Sequence, residues 1–282
     1  MTERLADISD RIDGVRHLGT VVNAMKGIAA ARAHVARMQL EAVDDYAATI
    51  AAAMSSAIGP GATASAEETR RRTGKTGLLL FCAEQGFAGA FSERVLDSAG
   101  GDLRDETLFL IGTRGLSIAT SRGLAPTWNA AMPSHTPGIP KLADAITTEI
   151  YRRVDEGSID GLDVLFTGRD SGRPEIVRKA LFPVDLSDCP PAGIEPPLTQ
   201  IPLTALIDSL GADYFHAQVC KAALHGFAAE NEARVEAMSS AGSQIEGEIE
   251  AFEATLRRVR QEAITAEIIE IGSGAASARG SR

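Results

Sequence analysis

The chain has 282 residues, 12 prolines and a formal net charge of -10. This length is enough for one or two domains with a packed core. The acidic balance argues against a nucleic-acid-binding protein, and the three cysteines form no C-x-x-C pair of the kind found in zinc ribbons.

The first predicted element is a long helix at residues 1–59. All prolines lie between Pro60 and Pro202, and an internal proline costs a helix roughly 3 kcal/mol, so both ends are predicted as uninterrupted helices. We expect Ala29–Ala31 to allow close helix packing. The first apolar residues are spaced as in a narrow coiled-coil stripe: Leu5, Ile8, Ile12, Val15, Leu18, Val22, Met25 and Ala29. Further along the helix, a second group predicts a continued apolar face: Val35, Met38, Ala42, Tyr46, Ala53 and Met54.

The middle of the chain, residues 60–202, has the alternating pattern of an α/β domain. Short apolar runs predict buried, parallel strands, and helical stretches between them predict right-handed crossovers. Residues 60–75 are predicted as a polar linker and 187–202 as a proline-rich loop. The predicted strands are Gly77–Ala83, Thr107–Gly112 and Leu162–Gly168, with Ala180–Leu186 as a further candidate; the predicted helices are Ser92–Ala99, Leu116–Arg122 and Lys141–Asp155.

The last predicted element is a second long helix that starts near Leu203. Its apolar positions alternate by four and three residues: Met238, Gly242, Ile245, Ile249, Phe252, Leu256, Val259 and Ala263. Such a heptad stripe needs a partner, and the simplest partner is the other end of the same chain. The predicted fold class is therefore α/β, with a long antiparallel coiled coil of the helices at 1–59 and 203–282 and a Rossmann-like domain with a mainly parallel sheet at 60–202.

The motifs of common catalytic sites are incomplete. Gly74-Lys75-Thr76 resembles the end of a phosphate-binding loop, but Thr69 stands where that motif needs glycine, and the segment precedes a strand instead of following one. The turn at Cys82–Phe91 lacks the G-x-G-x-x-G fingerprint. The histidines have no metal-ligand spacing, and no G-x-S-x-G elbow is present. The sequence thus predicts no catalytic, cofactor-binding or metal-binding residues.

Four terminal segments carry a family pattern. Residues 11–15 read RIDGV, 24–32 read AMKGIAAAR, 230–238 read ENEARVEAM and 260–271 read RQEAITAEIIEI. In order and spacing they resemble the gamma subunit of F-type rotary ATP synthases, the central stalk. The middle agrees more loosely, at Gln85–Ser92, Ile111–Gly115 and Leu181–Pro183. The resemblance covers nearly the whole chain.

Several positions depart from the family pattern. Thr20-Val21-Val22 replaces a K-I-T segment, Gly27-Ile28 follows Lys26 where the family has M-V, and Val259 replaces the alanine before R-Q. The turn after the first strand lacks the family's arginine and cysteine. These differences resemble a divergent branch, and one candidate group is the secondary N-type rotary ATPases.

The resemblance implies a rotor that transmits torque and does not itself catalyse. The expected partners are the alpha and beta subunits of the ATP synthase ring, the epsilon subunit and the membrane c-ring, without nucleic acid. Met25 and Lys26 should face a lever segment of a beta subunit, and Arg260, Gln261 and Thr265 should contact a ring loop. The expected location is peripheral, at the cytoplasmic face of a bacterial cell membrane.

Two other interpretations fit the patterns without the family resemblance. One is a nucleotide- or metabolite-binding α/β domain that carries a coiled-coil dimerisation arm. The other is a plain coiled-coil scaffold. Both account for the heptads, but neither accounts for the motif spacing at the two ends.

Overall fold

The computed structural model describes residues 2–59, 75–101, 103, 106–170, 172–184 and 198–279. The polar linker predicted at 60–75 lies outside these residues except for Lys75, and so does the predicted proline-rich loop up to residue 197. Both predicted terminal helices are present. Helix α1 spans Thr2–Ile58 and helix α5 spans Leu203–Arg279, which confirms the inference from the absence of proline.

Between these helices, the described residues form a five-stranded sheet with three helices. In chain order, the elements are β1 (Thr76–Phe81), α2 (Phe91–Ala99), β2 (Thr107–Ile111), α3 (Thr113–Ser121), β3 (Trp128–Ala130), α4 (Ile139–Asp155), β4 (Gly161–Asp170) and β5 (Arg173–Phe182). A short 3₁₀ turn at Thr136–Gly138 leads into α4. The alternation of strand and helix predicted for this part of the chain is confirmed.

The sheet has the strand order β3-β2-β1-β4-β5. Strand β1 lies at its centre and pairs in parallel with β2 and with β4, while β5 pairs antiparallel with β4. The chain therefore winds outward from β1 in one direction, through β2 to β3, and then crosses over to β4. This is a doubly wound arrangement with a mainly parallel sheet, as predicted.

Each face of the sheet packs against its own hydrophobic cluster. Because side chains alternate along a strand, Leu79 and Phe81 of β1 join the cluster that contains α4 and the early part of α5. Leu78 and Leu80 join the opposite cluster, with α2 and α3. All four side chains are fully buried, which explains why β1 is a continuous apolar run and lacks polar alternation.

Two edge strands differ from the prediction. Strand β3 has only three residues, none of them buried, so it carries no run of apolar residues. Strand β5 begins at Arg173 and ends at Phe182, whereas the sequence indicated a strand only at Ala180–Leu186. Most of β5 is exposed or half-buried and includes Pro174, as is typical of an edge strand.

The chain divides into two compact units. The first contains Met1–Ile28 and Val235–Arg282, and the second contains Ala29–Arg234. Each long helix therefore contributes to both units. The functional division proposed from the sequence, at 1–59, 60–202 and 203–282, follows the helix ends and stays a prediction.

In the first unit, the two helices pair antiparallel through their apolar stripes. Ile8 and Ile12 pack with Val259, and Val22 packs with Met238 and Ile245. Val15, Val22 and Met25 join the cluster of Met238, Ile245 and Ile249, which are stripe positions of the second long helix. The heptad repeat predicts that stripes meet, but it does not fix which heptads face each other.

In the second unit, α1 presents a face of small side chains. Ala33, Ala36 and Ala47 are buried, whereas Val35 and Met38, predicted for the packed face, are exposed. Of the residues predicted there, Met54 is buried. Alanine allows a close approach of helix backbones, which explains why Ala33, Ala36 and Ala47 occupy buried positions although their side chains are small. Of the predicted trio Ala29–Ala31, Ala29 is the buried member.

Candidate functional site: the paired helices and the strand-end network

Met25 and Lys26 lie on the paired helices of the first unit. Met25 is half-buried and packs against the cluster of Val22, Met238 and Ile245. Lys26 is half-buried too, and its Nζ donates a hydrogen bond to Oγ of Ser239 at 3.1 Å. Met25 therefore supports the helix pair, while Lys26 holds a positive charge at its surface.

A groove of about 600 Å³ runs beside Lys26 along the helix pair. The groove is lined by residues with small side chains, among them Gly19, Ser239 and Gly242. The basic side chains of Arg16 and Lys26 also line it. A methyl group at Gly19 would be 3.3 Å from Cγ2 of Ile245, so the helices already approach closely there. The groove is open and is lined partly by polar and basic side chains, unlike the enclosed apolar pockets that hold small ligands.

Arg260, Gln261 and Thr265 lie near the C-terminal end of α5, and all three are exposed. Oγ1 of Thr265 donates a hydrogen bond to the carbonyl oxygen of Gln261 at 2.9 Å, one turn earlier. Gln261 and Thr265 thus share a face of the helix, as their spacing predicts. The neighbouring stripe residue Val259 is buried, so the three polar side chains are separate from the seam that holds the helices together.

Exposed isoleucines follow these polar residues. Ile264, Ile268, Ile269 and Ile271 have exposed fractions between 52% and 66%. A cluster of large apolar side chains at one end of a helix is a common feature of surfaces that bind another protein.

The second unit contains a polar network at the carboxyl ends of its strands. Glu84, three residues after the end of β1, accepts hydrogen bonds from the backbone N–H and the hydroxyl of Thr113, at 2.9 and 2.6 Å. The same carboxylate accepts the N–H of Met132 at 2.8 Å. Glu84 thus caps the start of α3 and fixes the chain after β3. A carboxylate is favourable at a helix N-terminus because the exposed N–H groups there carry partial positive charge.

A second carboxylate of this network comes from α5. Glu230 accepts the N–H of Glu84 on Oε2, at 3.0 Å, and the N–H of Gln85 on Oε1, at 3.2 Å. Arg234, one turn later, donates to Oε1 of Glu230 at 2.5 Å and to the carbonyl oxygens of Gln85 and Gly86. Both side chains are buried. The pair therefore ties α5 to the turn after β1.

This network explains two motifs that were recognised in the sequence only as patterns. Glu230, Asn231 and Arg234 belong to the segment that reads ENEAR, and Gln85 and Gly86 belong to the glycine turn. Asn231 accepts a hydrogen bond from Arg234 and donates one to the carbonyl oxygen of Phe227. The sequence did not predict that the ENEAR segment contacts the glycine turn, because about 145 residues separate Gln85 from Glu230 along the chain.

Two glycines allow α3 to start close to β1. A Cβ atom at Gly115 would lie 2.1 Å from Cβ of Cys82, and one at Gly112 would lie 2.5 Å from the carbonyl oxygen of Cys82. Gly112 also has φ of 108°, which other residues rarely adopt. The close approach of α3 to β1 therefore requires glycine at both positions of the I-G-x-x-G segment, residues 111–115.

Cys82 and Lys75 do not have the environment of catalytic groups. Burial, together with the nearby negative charges of Glu230 and Glu93, raises the pKa of the Cys82 thiol to about 12. The thiol therefore stays protonated and is a poor nucleophile near neutral pH. Nζ of Lys75, in the segment that resembles a phosphate-binding loop, donates to the carbonyl oxygen of Gly157 at 2.9 Å.

Comparison with known proteins decides the family. The ATP synthase family model ATP-synt matches residues 4–278. An ATP synthase gamma chain of Parafrankia sp. (strain EAN1pec) is 30% identical, over 98% of this chain and 98% of its own length. The chain belongs to the ATP synthase gamma chain family. The resemblance inferred from the four terminal motifs is confirmed.

Other members of the gamma chain family align over a similar length. The ATP synthase gamma chain of Frankia casuarinae is 28% identical over 98% of both chains. The segments that carry the family motifs therefore lie in a match that extends through the α/β region as well. The placement among N-type rotary ATPases stays a prediction.

Solved structures share the fold. A chain of the Euglena gracilis mitochondrial ATP synthase rotor, in rotational state 1, has a TM-score of 0.64 and 13% identity, covering 94% of this chain and all of that one. A chain of the Tetrahymena thermophila mitochondrial ATP synthase, described as central stalk and c-ring, has a TM-score of 0.56 and 16% identity, covering 78% of this chain and 99% of that one. These two chains thus share the fold with this chain at low sequence identity.

The described residues include neither a candidate membrane span nor a candidate metal-binding group. None of their helices combines the length and the apolar character that a membrane span requires. Within the same residues, no three histidine, cysteine, aspartate or glutamate side chains are grouped so that they could hold a metal ion.

Proposed function

We propose that this chain is the central stalk of an F-type ATP synthase, a rotor subunit that couples ion flow through the membrane ring to the catalytic ring. The observation that carries the proposal is the family match across residues 4–278, which includes both paired helices. The antiparallel pairing within one chain supports it, because it makes a stiff shaft from a single subunit. A single chain inside a ring of repeated subunits presents a different side to each of them.

The proposed partners are the alpha and beta subunits, the epsilon subunit and the c-ring. Lys26 carries its charge at the edge of an open groove, where it can meet the moving lever segment of a beta subunit. Arg260, Gln261 and Thr265 are exposed and can bond a loop of the ring. The exposed isoleucines from Ile264 to Ile271 would be covered by the surrounding subunits. The α/β part would remain outside the ring, next to epsilon and the c-ring.

The proposal assigns no catalytic step to this chain. In its α/β part, the polar groups at the ends of β1, β2 and β3 already bond one another through Glu84 and Glu230. ATP synthesis or hydrolysis would take place in the ring, and this chain would bias each site through contacts that differ between conformations. The proposed location is peripheral, at the cytoplasmic face of the bacterial membrane.

Reconstitution tests the proposal directly. The full chain is combined with the alpha and beta subunits of the same organism, and the complex is isolated through a tag on beta. We expect one copy of the chain per three alpha and three beta subunits, and ATP-driven rotation of a probe fixed to the α/β part. Failure to form this complex, together with a stable dimer of the chain alone, would instead support the α/β domain with a dimerisation arm.

Lys26 offers a matched pair of variants in the same complex. Lys26→Ala removes the positive charge, whereas Ser239→Ala removes only the hydroxyl that Lys26 bonds within the chain. If Lys26 contacts a beta subunit, Lys26→Ala lowers coupling between hydrolysis and ion transport and Ser239→Ala does not. Equal coupling in both variants would show that Lys26 has no such role.

A further inference from the structure

The strand order identifies where a ligand would bind in this sheet. In doubly wound sheets, ligands bind outside the carboxyl ends of the strands, at the point where the winding changes direction. Here that point lies between β1 and β4. The strands β2 and β3 are added on one side of β1, whereas β4 and β5 are added on its other side. The residues directly after β1 and at the end of β4 therefore border the expected crevice.

Helix α5 fills this crevice with its own side chains. On the β1 side, Glu230 accepts the consecutive N–H groups of Glu84 and Gln85. Glu232, two residues later, accepts a hydrogen bond from Nε of Arg37 of α1 at 2.7 Å and lies 3.6 Å from Nη1 of Arg169 near the end of β4. The carboxylate of α5 at the end of β1 is therefore that of Glu230.

The partners of Glu230 have the composition of an anion-binding site. Two successive backbone N–H groups each donate to a different oxygen of the same carboxylate, and one guanidinium, from Arg234, donates to one of those oxygens. Successive N–H groups in a turn, assisted by an arginine, are a recurrent arrangement for binding phosphate or carboxylate. The exposed fraction is 4% for the Glu230 side chain and 6% for that of Arg234, so water competes little for these bonds.

We infer that the crevice is an oxyanion site that the chain occupies with its own Glu230. The chemical class that fits it is a small oxyanion, a carboxylate or inorganic phosphate, held by the N–H groups of Glu84 and Gln85 and by Arg234. The carboxylate holds α5 against β1 in the position where a related fold would hold a ligand. This inference concerns contacts within the second unit and does not depend on the stalk role.

Chemical rescue tests the inference on the full chain. Glu230→Ala removes the carboxylate and leaves the two N–H groups and the buried guanidinium without their acceptor. We expect the folding equilibrium constant to fall by roughly 100-fold or more, as for other buried ion pairs that lose one partner. Added sodium acetate or phosphate should restore part of this loss. An anion present at ten times its Kd would raise the constant by about 11-fold.

The controls separate this site from a general salt effect. Sodium chloride at the same ionic strength should restore nothing specific, and the response of the wild-type chain to each salt measures the general salt effect that is subtracted from the response of the variant. Arg234→Ala leaves Glu230 in place, so acetate should not stabilise it. Rescue of Glu230→Ala by chloride as effectively as by acetate and phosphate, or by none of the three, would overturn the inference.

A second variant covers the case in which Glu230→Ala does not fold. Glu230→Gln keeps the volume and one acceptor oxygen but loses the charge. Hydrogen exchange at the amides of Glu84 and Gln85 should then become about 10-fold faster, as expected if a bond to a charged acceptor is stronger by about 1.4 kcal/mol. Exchange at Val95, in the middle of α2, should stay unchanged. Unchanged exchange at Glu84 and Gln85 would overturn the inference.

Discussion

Arg16 of α1 and Glu253 of α5 form an ion pair between the two helices, with 2.7 Å between Nη2 and Oε1. The two residues are 237 positions apart in the chain. Both side chains are partly exposed, and such pairs contribute only about 0–1 kcal/mol. The ion pair therefore indicates the register of the helices more than it stabilises them, and that register can be tested.

We predict that cysteines at Ile12 and Val259 form a disulfide within one chain. These side chains belong to the same buried cluster in the first unit. Cysteines at Val22 and Val259 are the control, because Val22 packs with Met238 and Ile245 instead. The measurement is mobility on a non-reducing gel after mild oxidation of dilute protein. Faster linkage of the second pair would contradict the register, and linkage only between chains would contradict the shaft.

We predict that Gly115→Ala destabilises the second unit. The new methyl group would lie 2.1 Å from Cβ of Cys82, which is fixed at the buried end of β1. Overpacking of this kind costs typically 1–3 kcal/mol. The control is Gly14→Ala, another helical glycine with nothing within 4 Å, where alanine should be neutral or stabilising by up to about 1 kcal/mol. Urea denaturation measures both, and equal stability of the two variants would refute the steric explanation.

The sequence allowed the central elements of the fold to be predicted because their signals are local. A lack of proline and a heptad repeat identify the long helices, and the run at Leu78–Phe81 identifies a strand buried on both faces. Edge strands give weaker signals: Trp128–Ala130 is too short for any periodicity, and β5 has solvent on most of its length. Its pairing with β4 depends on the tight turn at Gly172.

The packing details depended on geometry that no local pattern contains. The large apolar residues of α1 indicated a packed face at Val35 and Met38, but Ala33 and Ala36 are the buried residues. The bonds from Glu84 and Gln85 to Glu230 join segments that are distant in the chain. The family resemblance marked both segments as important without showing that they touch. For Arg260, Gln261 and Thr265, exposure is compatible with the expected ring contact but does not test it.

We predict that the isolated chain binds no ATP with micromolar affinity and does not hydrolyse it. The incomplete loop motif has Thr69 in place of glycine, Nζ of Lys75 already bonds the carbonyl oxygen of Gly157, and Glu230 takes the N–H groups after β1. Isothermal titration calorimetry of the full chain with Mg-ATP is the measurement, and an unrelated nucleotide-binding protein serves as the positive control. A saturable heat signal at micromolar ATP would contradict this prediction and would support the alternative of a nucleotide-binding α/β domain.

The last prediction concerns Arg260, Gln261 and Thr265. Replacing all three with alanine should leave the fold intact, because each side chain is exposed and the hydroxyl of Thr265 bonds the backbone of Gln261 within the same helix. If they bond a loop of the ring, assembly should lose roughly 0.5–3 kcal/mol per contact, and coupling should fall. The measurements are subunit retention and ATP-driven ion transport in the reconstituted complex.

A matched triple variant on the same helix decides whether the position of these residues matters. Gln244, Thr255 and Arg257 supply the same three residue types; Gln244 and Arg257 are exposed, and Thr255 is half-buried. The hydroxyl of Thr255 bonds the carbonyl oxygen of Ala251, just as that of Thr265 bonds Gln261. Alanine at these three positions removes equal charge and equal hydrogen-bonding capacity from α5. Weaker assembly in the Arg260, Gln261 and Thr265 variant alone would identify a specific contact, whereas equal behaviour of the two variants would assign these residues to ordinary solvent-facing surface.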